Sequence, residues 1–174
     1  MTAVTAYVGG KHYLVSGEQL LVGDQPIAGF SDDSYRRFLE IISLCNESVQ
    51  QNSVQQTHMN GTPTENALLE LARFSGLDID ALRQQYPHYK IKYRAENRPY
   101  MCTFHRLPRK RHLIAVKGSP QEVLTLCDFY QDQGGIHPID DAFRASVSNI
   151  NNQMAGDALR VLAVAYAEKP MKDE

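Results

Sequence analysis

The chain has 174 residues, 43% of them hydrophobic, which suits one ordinary domain with its own core and excludes an intrinsically disordered segment. A net charge of −2 leaves no global field to hold nucleic acid or an anionic membrane, and Cys45, Cys102 and Cys127 form neither a disulfide framework nor a CxxC pair. His12, His58, His88, His105, His112 and His137 lack metal-ligand spacing, no apolar run approaches the ~20 residues of a membrane span, and MTAVTAYVGG lacks the basic and apolar regions of a signal peptide, so a reduced, cytosolic setting without direct membrane contact is expected.

Residues 2–9 and 12–16 are rich in Val, Tyr and Thr and read as strands split by a hairpin turn at Gly9-Gly10-Lys11. A loop containing Gly and Pro follows to about Phe30. In residues 32–46, Tyr35, Phe38, Leu39, Ile42 and Cys45 recur at helical steps, which predicts a helix with one apolar stripe and Ser31 as its N-cap. Residues 47–60 are polar, with SVQQ occurring twice, and read as a surface loop. Thr62, Pro63 and Glu65 then supply a capping threonine, a proline for the first helical position and a capping-box glutamate. Gly76 ends that helix, and a short one from about Asp78 to Tyr86 stops at Pro87.

Tyr89, Ile91 and Tyr93 alternate with Lys90, Lys92 and Arg94, the pattern of a strand with one apolar and one basic face. An extended run over residues 99–106 turns at LPRK and returns as residues 112–116. Ser119, Pro120 and Glu122 repeat the capping-box pattern and open a helix to about Leu126. After a turn at Gly134-Gly135 another helix occupies about residues 139–154. Residues 160–168 are almost continuously apolar, as in a strand covered on both faces, and KPMKDE reads as an exit linker. The sum is an α/β fold of the α+β type: a mostly antiparallel twisted sheet flanked by helices, forming a single domain over 1–174.

Taken singly, the candidate chemical features have ordinary structural readings. Residues 115–124 (AVKGSPQEVL) place Lys117 and Gly118 where a buried strand meets a capped helix, an anion-attracting arrangement or simply a turn with a solvated lysine. Glu65 serves either a ligand or only its own helix cap. Arg160, at the start of a buried strand, needs a phosphate or a structural carboxylate as partner. Arg106, Arg109, Lys110, Arg111 and His112 surround a turn and read as a solvated hairpin tip, not a nucleic-acid face. Asp78-Ile79-Asp80 resembles a phosphotransferase DxD but lacks the buried strand before it. Neither GxxxxGK[ST] nor GxGxxG occurs.

In order along the chain, these segments resemble the nucleotide-binding domain of P-type cation-transporting ATPases. SLCNES (residues 43–48) resembles that family's L-CN segment, GTPTENALL its GDPTE-ALL segment, KGSPQEVL its KGAPE segment and LRVLAVAY (residues 159–166) its RVLA-A strand. VSGE at residues 15–18 resembles the stretch entering this domain from the phosphorylation domain. The match spans nearly the whole chain and looks like the calcium, sodium and magnesium pumps; the His-Pro signature of heavy-metal pumps is missing.

The resemblance implies an ATP site. Glu65 would accept a hydrogen bond from the adenine amino group with Thr64 beside it, Lys117 would line the pocket floor, Gly118 would allow close backbone approach, and Arg160 would reach the phosphates next to Leu162. For the family's adenine-stacking ring, Phe104 lies in the hairpin leading straight to Lys117, whereas the family separates ring and lysine by a strand pair. Tyr93 has that separation, with Glu96 and Arg98 at the family's acidic and basic positions; Phe104 is the runner-up. Tyr93 for phenylalanine, Thr62 for aspartate, Asn66 for a small residue and Ser119 for alanine are departures.

The DKTGT, TGES and GDG-ND segments and any membrane helix are absent from these residues. The resemblance therefore implies a cytoplasmic, monomeric piece of an integral membrane ion pump, with about 1–9 and 168–174 linking to a phosphorylation domain outside the chain. It would hold ATP and present the γ-phosphate to that domain's aspartate, with Mg²⁺ supplied mainly there. Its partners would be ATP and the phosphorylation and actuator domains, not nucleic acid, and the chain alone would not catalyse. The alternative is a regulatory or interaction domain of the same fold that has lost its nucleotide. A stand-alone phosphatase would need a DxDx[TV] segment on a strand, and none is visible.

Overall fold

Gly9 and Gly10 take φ of 58° and 81°, the left-handed pair a type I′ turn requires, and fold β1 (Thr5–Val8) back on β2 (Lys11–Ser16). This computed structural model describes residues 1–16, 19–27, 29–30, 32–52 and 57–171. The chain divides into two units, Met1–Gln85 and Tyr86–Glu174.

In the first unit, β3 (Gln19–Val22) and β4 (Gln25–Ile27) extend the first hairpin into an antiparallel sheet of order β1-β2-β3-β4. This corrects the loop expected up to Phe30. The two strands are short, and Pro26 conceals the second; on the edge strand β4 its missing N–H leaves one side of the ladder intact. The helix α1 (Asp33–Leu44) is capped by Asp32, whose Oδ1 accepts the Tyr35 N–H at 2.9 Å, while the expected cap Ser31 lies outside the described residues. The polar stretch 47–60 is also corrected, because β5 (Val49–Asn52) and β6 (Thr57–Asn60) pair antiparallel. Without apolar alternation their pattern gave no strand signal. Two helices complete the unit, α2 (Pro63–Phe74) and α3 (Ile79–Gln85).

The core of this unit is built on Tyr13 and Tyr35, stacked at 4.1 Å between ring centroids, together with buried Leu39, Ile42, Leu69 and Ala72. Ser75 gives its proton to Leu71 O at 2.9 Å, so Tyr35 donates in the 2.9 Å bond between the two hydroxyls. Burial pushes the Tyr35 pKa up to about 12 from 10.0. The unfolded chain ionises this phenol first. Its stabilising contribution is thus intact below pH ~10 and is lost as pH rises toward the folded value. Urea unfolding across that window should show Tyr35→Phe falling less steeply than the parent, after a loss of about 1 kcal/mol at neutral pH.

The second unit contains β7 (His88–Lys92), β8 (Tyr100–Leu107), β9 (Arg111–Gly118), α4 (Pro120–Thr125), β10 (Phe129–Asp132), β11 (Gly135–Pro138), α5 (Asp141–Gly156) and β12 (Ala163–Pro170). Its main sheet is antiparallel in the order β12-β9-β8-β7, and β10 and β11 form a separate hairpin. One face of the main sheet is buried through Met101, Thr103 and His105 on β8 and Leu113, Ala115 and Lys117 on β9. The His105 ring is satisfied there: Nδ1 lies 2.7 Å from Tyr86 O and Nε2 2.8 Å from the Thr103 hydroxyl.

Three further expectations are corrected in this unit. β12 is an edge strand with half-buried residues, so its apolar run reflects alanine content and not burial on both faces. Its pairing reaches Pro170, so Lys169 and Pro170 of the expected linker belong to the sheet. Ser119 makes no side-chain cap bond, and α4 starts on Pro120 alone. The class is as expected, mixed α/β with antiparallel sheets flanked by helices, although the sheet is divided into four. Among the described residues no helix is long and apolar enough to cross a membrane.

Candidate functional site

In the first unit, Thr62 holds the start of α2 by accepting the Glu65 N–H at 3.3 Å, and its hydroxyl lies 3.2 Å from Glu65 Oε2. The other carboxylate oxygen accepts the Glu47 N–H at 3.4 Å, while Asn46 Nδ2 donates to Glu65 O at 3.0 Å. Glu65 is therefore tied both to its own cap and to the loop after α1. Ser48 donates to Asn66 Oδ1 at 2.5 Å, which gives the unusual Asn66 a structural partner. A methyl on Gly61 would sit 2.5 Å from Ser48 Cβ, so glycine is what lets the helix start lie against that loop. Thr64 is half-buried, with its hydroxyl 3.5 Å from Met1 Sδ.

In the second unit the candidates gather at one end of the main sheet. Lys117, 8% exposed, lies in register between Met101 on β8 and Val164 on β12. Gly118 pairs with Tyr100 and Ala163. A methyl there would lie 2.4 Å from Tyr100 Cβ and 2.7 Å from Pro99 O, so the close approach that glycine permits includes one to the chain's own backbone. The last pair of β7 is Lys92 with Cys102, which brings the next residue, Tyr93, level with the Met101–Lys117 pair, about two strand spacings (~10 Å) from β9. Tyr93 is 57% exposed.

A tight turn follows Tyr93, closed by reciprocal backbone bonds of 3.0 Å between Ala95 and Arg98. Arg98 Nη2 donates to Tyr93 O, and its Nε is buried with no hydrogen-bond partner. Ser119 N donates to Pro99 O at 3.1 Å and draws the start of α4 to the same end.

Leu162 immediately precedes the Ala163–Gly118 pair and so belongs to this end as well. Contrary to the expectation from the sequence, Arg160 does not open a buried strand: it precedes β12 and is exposed, so no burial penalty demands a partner. Phe104 lies apart. It pairs with Ile114 in the middle of the sheet, with Lys90 Nζ and Lys92 Nζ 5.9 and 5.7 Å from its ring centroid and Tyr89 and His112 alongside. Tyr93, Arg98, Lys117, Gly118 and Leu162 thus lie toward one end of the sheet, spread across its width, and Phe104 lies in the middle. Thr64 and Glu65 belong to the first unit.

Asn46 and Glu47 carry no signal in the sequence beyond SLCNES, and their contacts with Glu65 emerge only in the fold. Burial pushes the thiols of Cys102 and Cys127 up, against the pull of Lys92 and Arg98 on the first and of Arg144 on the second, so neither has the lowered pKa of a nucleophilic cysteine. Among the described residues no cluster of His, Cys, Asp and Glu is placed to hold a metal ion. A hollow of about 280 Å³ in the first unit, lined by Leu20, Pro26, Ile27 and Phe74 among others, contains none of the candidates.

Residues 34–174 match the family described as P-type ATPase, cytoplasmic domain N. The chain is 31% identical over 172 residues to the plasma membrane-type calcium-transporting ATPase 3 of Oryza sativa subsp. japonica, covering 97% of this chain and 16% of that protein. It is 29% identical over 163 residues to calcium-transporting ATPase type 2C member 1 of Bos taurus, covering 92% and 16%. Identity to cation-transporting ATPase pma1 of Synechocystis sp. is 32% over 177 residues, covering 95% and 19%. The chain spans less than a fifth of the length of these relatives.

Proposed function

Since this chain belongs to the P-type ATPase cytoplasmic N-domain family, we propose that it is the ATP-holding module of a cation pump, gripping adenine and presenting the γ-phosphate to an aspartate on a separate domain. The observation that supports this most is the end of the second unit's sheet. A buried ammonium (Lys117), a buried guanidinium N–H without a partner (Arg98 Nε) and an exposed ring (Tyr93) occur there together. Such a set fits a flat, anionic ligand: the unsatisfied N–H costs free energy until an acceptor arrives, and the ring offers a stacking surface worth about 1–3 kcal/mol.

Glu65 is the proposed reader of the adenine amino group, and Arg160, in the extended lead to β12, the proposed phosphate contact. Bound ATP would supply the transferable phosphoryl group, with Mg²⁺ held mainly by the phosphorylation domain. This chain's residues bind and orient; the nucleophile lies outside them, so the isolated chain turns nothing over. The phosphorylation and actuator domains are its proposed partners.

Titrations of the labelled chain with ATP, ADP and GTP, followed by amide NMR, provide the test. ATP and ADP are expected to bind comparably, with most affinity from adenosine, and GTP more weakly because guanine lacks the 6-amino donor. Glu65→Gln should narrow the gap between ATP and GTP. Equal responses to GTP and ATP in the parent chain would remove Glu65 from the site. Absence of any ATP response at millimolar concentration would favour the alternative, an interaction domain without nucleotide.

A further inference from the structure

Arg83, in the last turn of α3, spends its guanidinium on three backbone carbonyls. Nε and Nη2 donate to Ser43 O at 3.1 and 3.0 Å, Nη2 to Asn46 O at 2.9 Å, and Nη1 to Ser48 O at 2.8 Å. Ser43 O lies in the final turn of α1, where carbonyls lack intrahelical partners. Asn46 and Ser48 are buried residues of the loop that follows.

That loop turns its donors the other way. Asn46 Nδ2 donates to Glu65 O at 3.0 Å, the Glu47 N–H to Glu65 Oε1 at 3.4 Å and the Ser48 hydroxyl to Asn66 Oδ1 at 2.5 Å. The loop is also braced internally, Ser48 N donating to Asn46 Oδ1 at 2.9 Å. A rigid planar cation on one side and the first turn of α2 on the other therefore clamp three consecutive residues. Lysine could not replace the clamp, because one ammonium lacks the fork that reaches three separate carbonyls.

We propose that Arg83 is a positioning residue for purine discrimination, fixing through the Asn46–Ser48 loop the direction in which the Glu65 carboxylate points. This rests on the reading of Glu65 as the group that recognises adenine. Loosening the loop withdraws the Glu47 N–H from Glu65 Oε1, one of the contacts that, with the Thr62 hydroxyl beside Oε2, set the direction of the carboxylate. The loss should fall on ATP relative to GTP, and not on nucleotide binding in general.

The test compares Arg83→Lys, Asn46→Ala and Glu65→Gln in the full chain, with dissociation constants for ATP and GTP and amide spectra for each. Arg83→Lys is expected to lower the ATP-over-GTP preference by about threefold to tenfold, the effect of one hydrogen bond, mainly through weaker ATP binding. Amide shifts should concentrate on residues 43–48 and 65–66. Asn46→Ala keeps the backbone carbonyls that Arg83 holds but cuts the link to Glu65 O, and should shift the ratio the same way. If Glu65→Gln reduces the preference while the other two variants leave it at the parent value, the positioning role is overturned and the reading of Glu65 stands. If Glu65→Gln itself has no effect, that reading fails and the proposal with it. Should Arg83→Lys lose its dispersed spectrum, Asn46→Ala decides alone.

Discussion

Gly118→Ala is expected to destabilise the chain by about 1–3 kcal/mol and to abolish a measurable ATP response. The added methyl would meet Tyr100 Cβ at 2.4 Å and both Tyr100 Cα and Pro99 O at 2.7 Å. Two of those three atoms are backbone, so no flexible side-chain tip can swing away. β8 and β9 must separate at the Tyr100–Gly118 pair, which is next to Met101–Lys117 and is followed by the Ser119–Pro99 hydrogen bond. The same strain thus displaces the ammonium, the turn bearing Arg98 and the start of α4. Gly156→Ala is the control: nothing lies within 4 Å of a methyl there and its φ is not positive, so this last residue of α5 should tolerate alanine or gain up to about 1 kcal/mol. An unchanged melting temperature for Gly118→Ala would mean that the strands are not so close at this point.

The parts of the fold legible in the sequence are those where one local rule dominates. The paired glycines of the first turn, the stripe from Tyr35 to Cys45 and the Thr62-Pro63 start each carry a signal within a few residues. β4 and β5 were hidden because a proline or a run of polar residues removed the alternation that marks strands. β12 was misjudged for the opposite reason. Alanine counts as apolar in a pattern but is small enough to lie on a half-exposed edge strand, so Ala163, Ala165 and Ala167 imitated a buried core.

The site shows the same division. The candidates Lys117, Gly118 and Tyr93 are legible only by resemblance, and the register shows how their segments reach one end of the sheet: β9 ends beside the start of β8, beside the start of β12 and level with the residue after β7. No pattern in the letters could announce that Arg98 Nε is buried without a partner, or that Arg83 reaches back across α1 to brace the loop behind Glu65. Those facts depend on side-chain reach in the folded chain, which spacing does not encode. Tyr93 departs from the family's phenylalanine, but an exposed ring position accommodates the added hydroxyl without burying it.

Lys117→Met is expected to weaken ATP and ADP together by about tenfold to a hundredfold, the scale of a hydrogen bond to a charged group, while leaving the ATP-over-GTP ratio near the parent value. Methionine keeps an unbranched stem in the sheet and gives up only the ammonium, so a change in affinity reports charge and donor, not a collapsed strand. Because Lys117 is buried in the rung between Met101 and Val164, its position is set by the sheet and cannot be recovered by a neighbouring surface lysine. Glu65→Gln and Arg83→Lys should move the ratio, whereas Lys117→Met should move affinity alone. Two independent readouts therefore separate recognition of the base from attraction of the ligand. A Lys117→Met chain that binds ATP as tightly as the parent would show that the buried ammonium serves only the sheet, and the proposed site would then rest on Arg98 and Arg160.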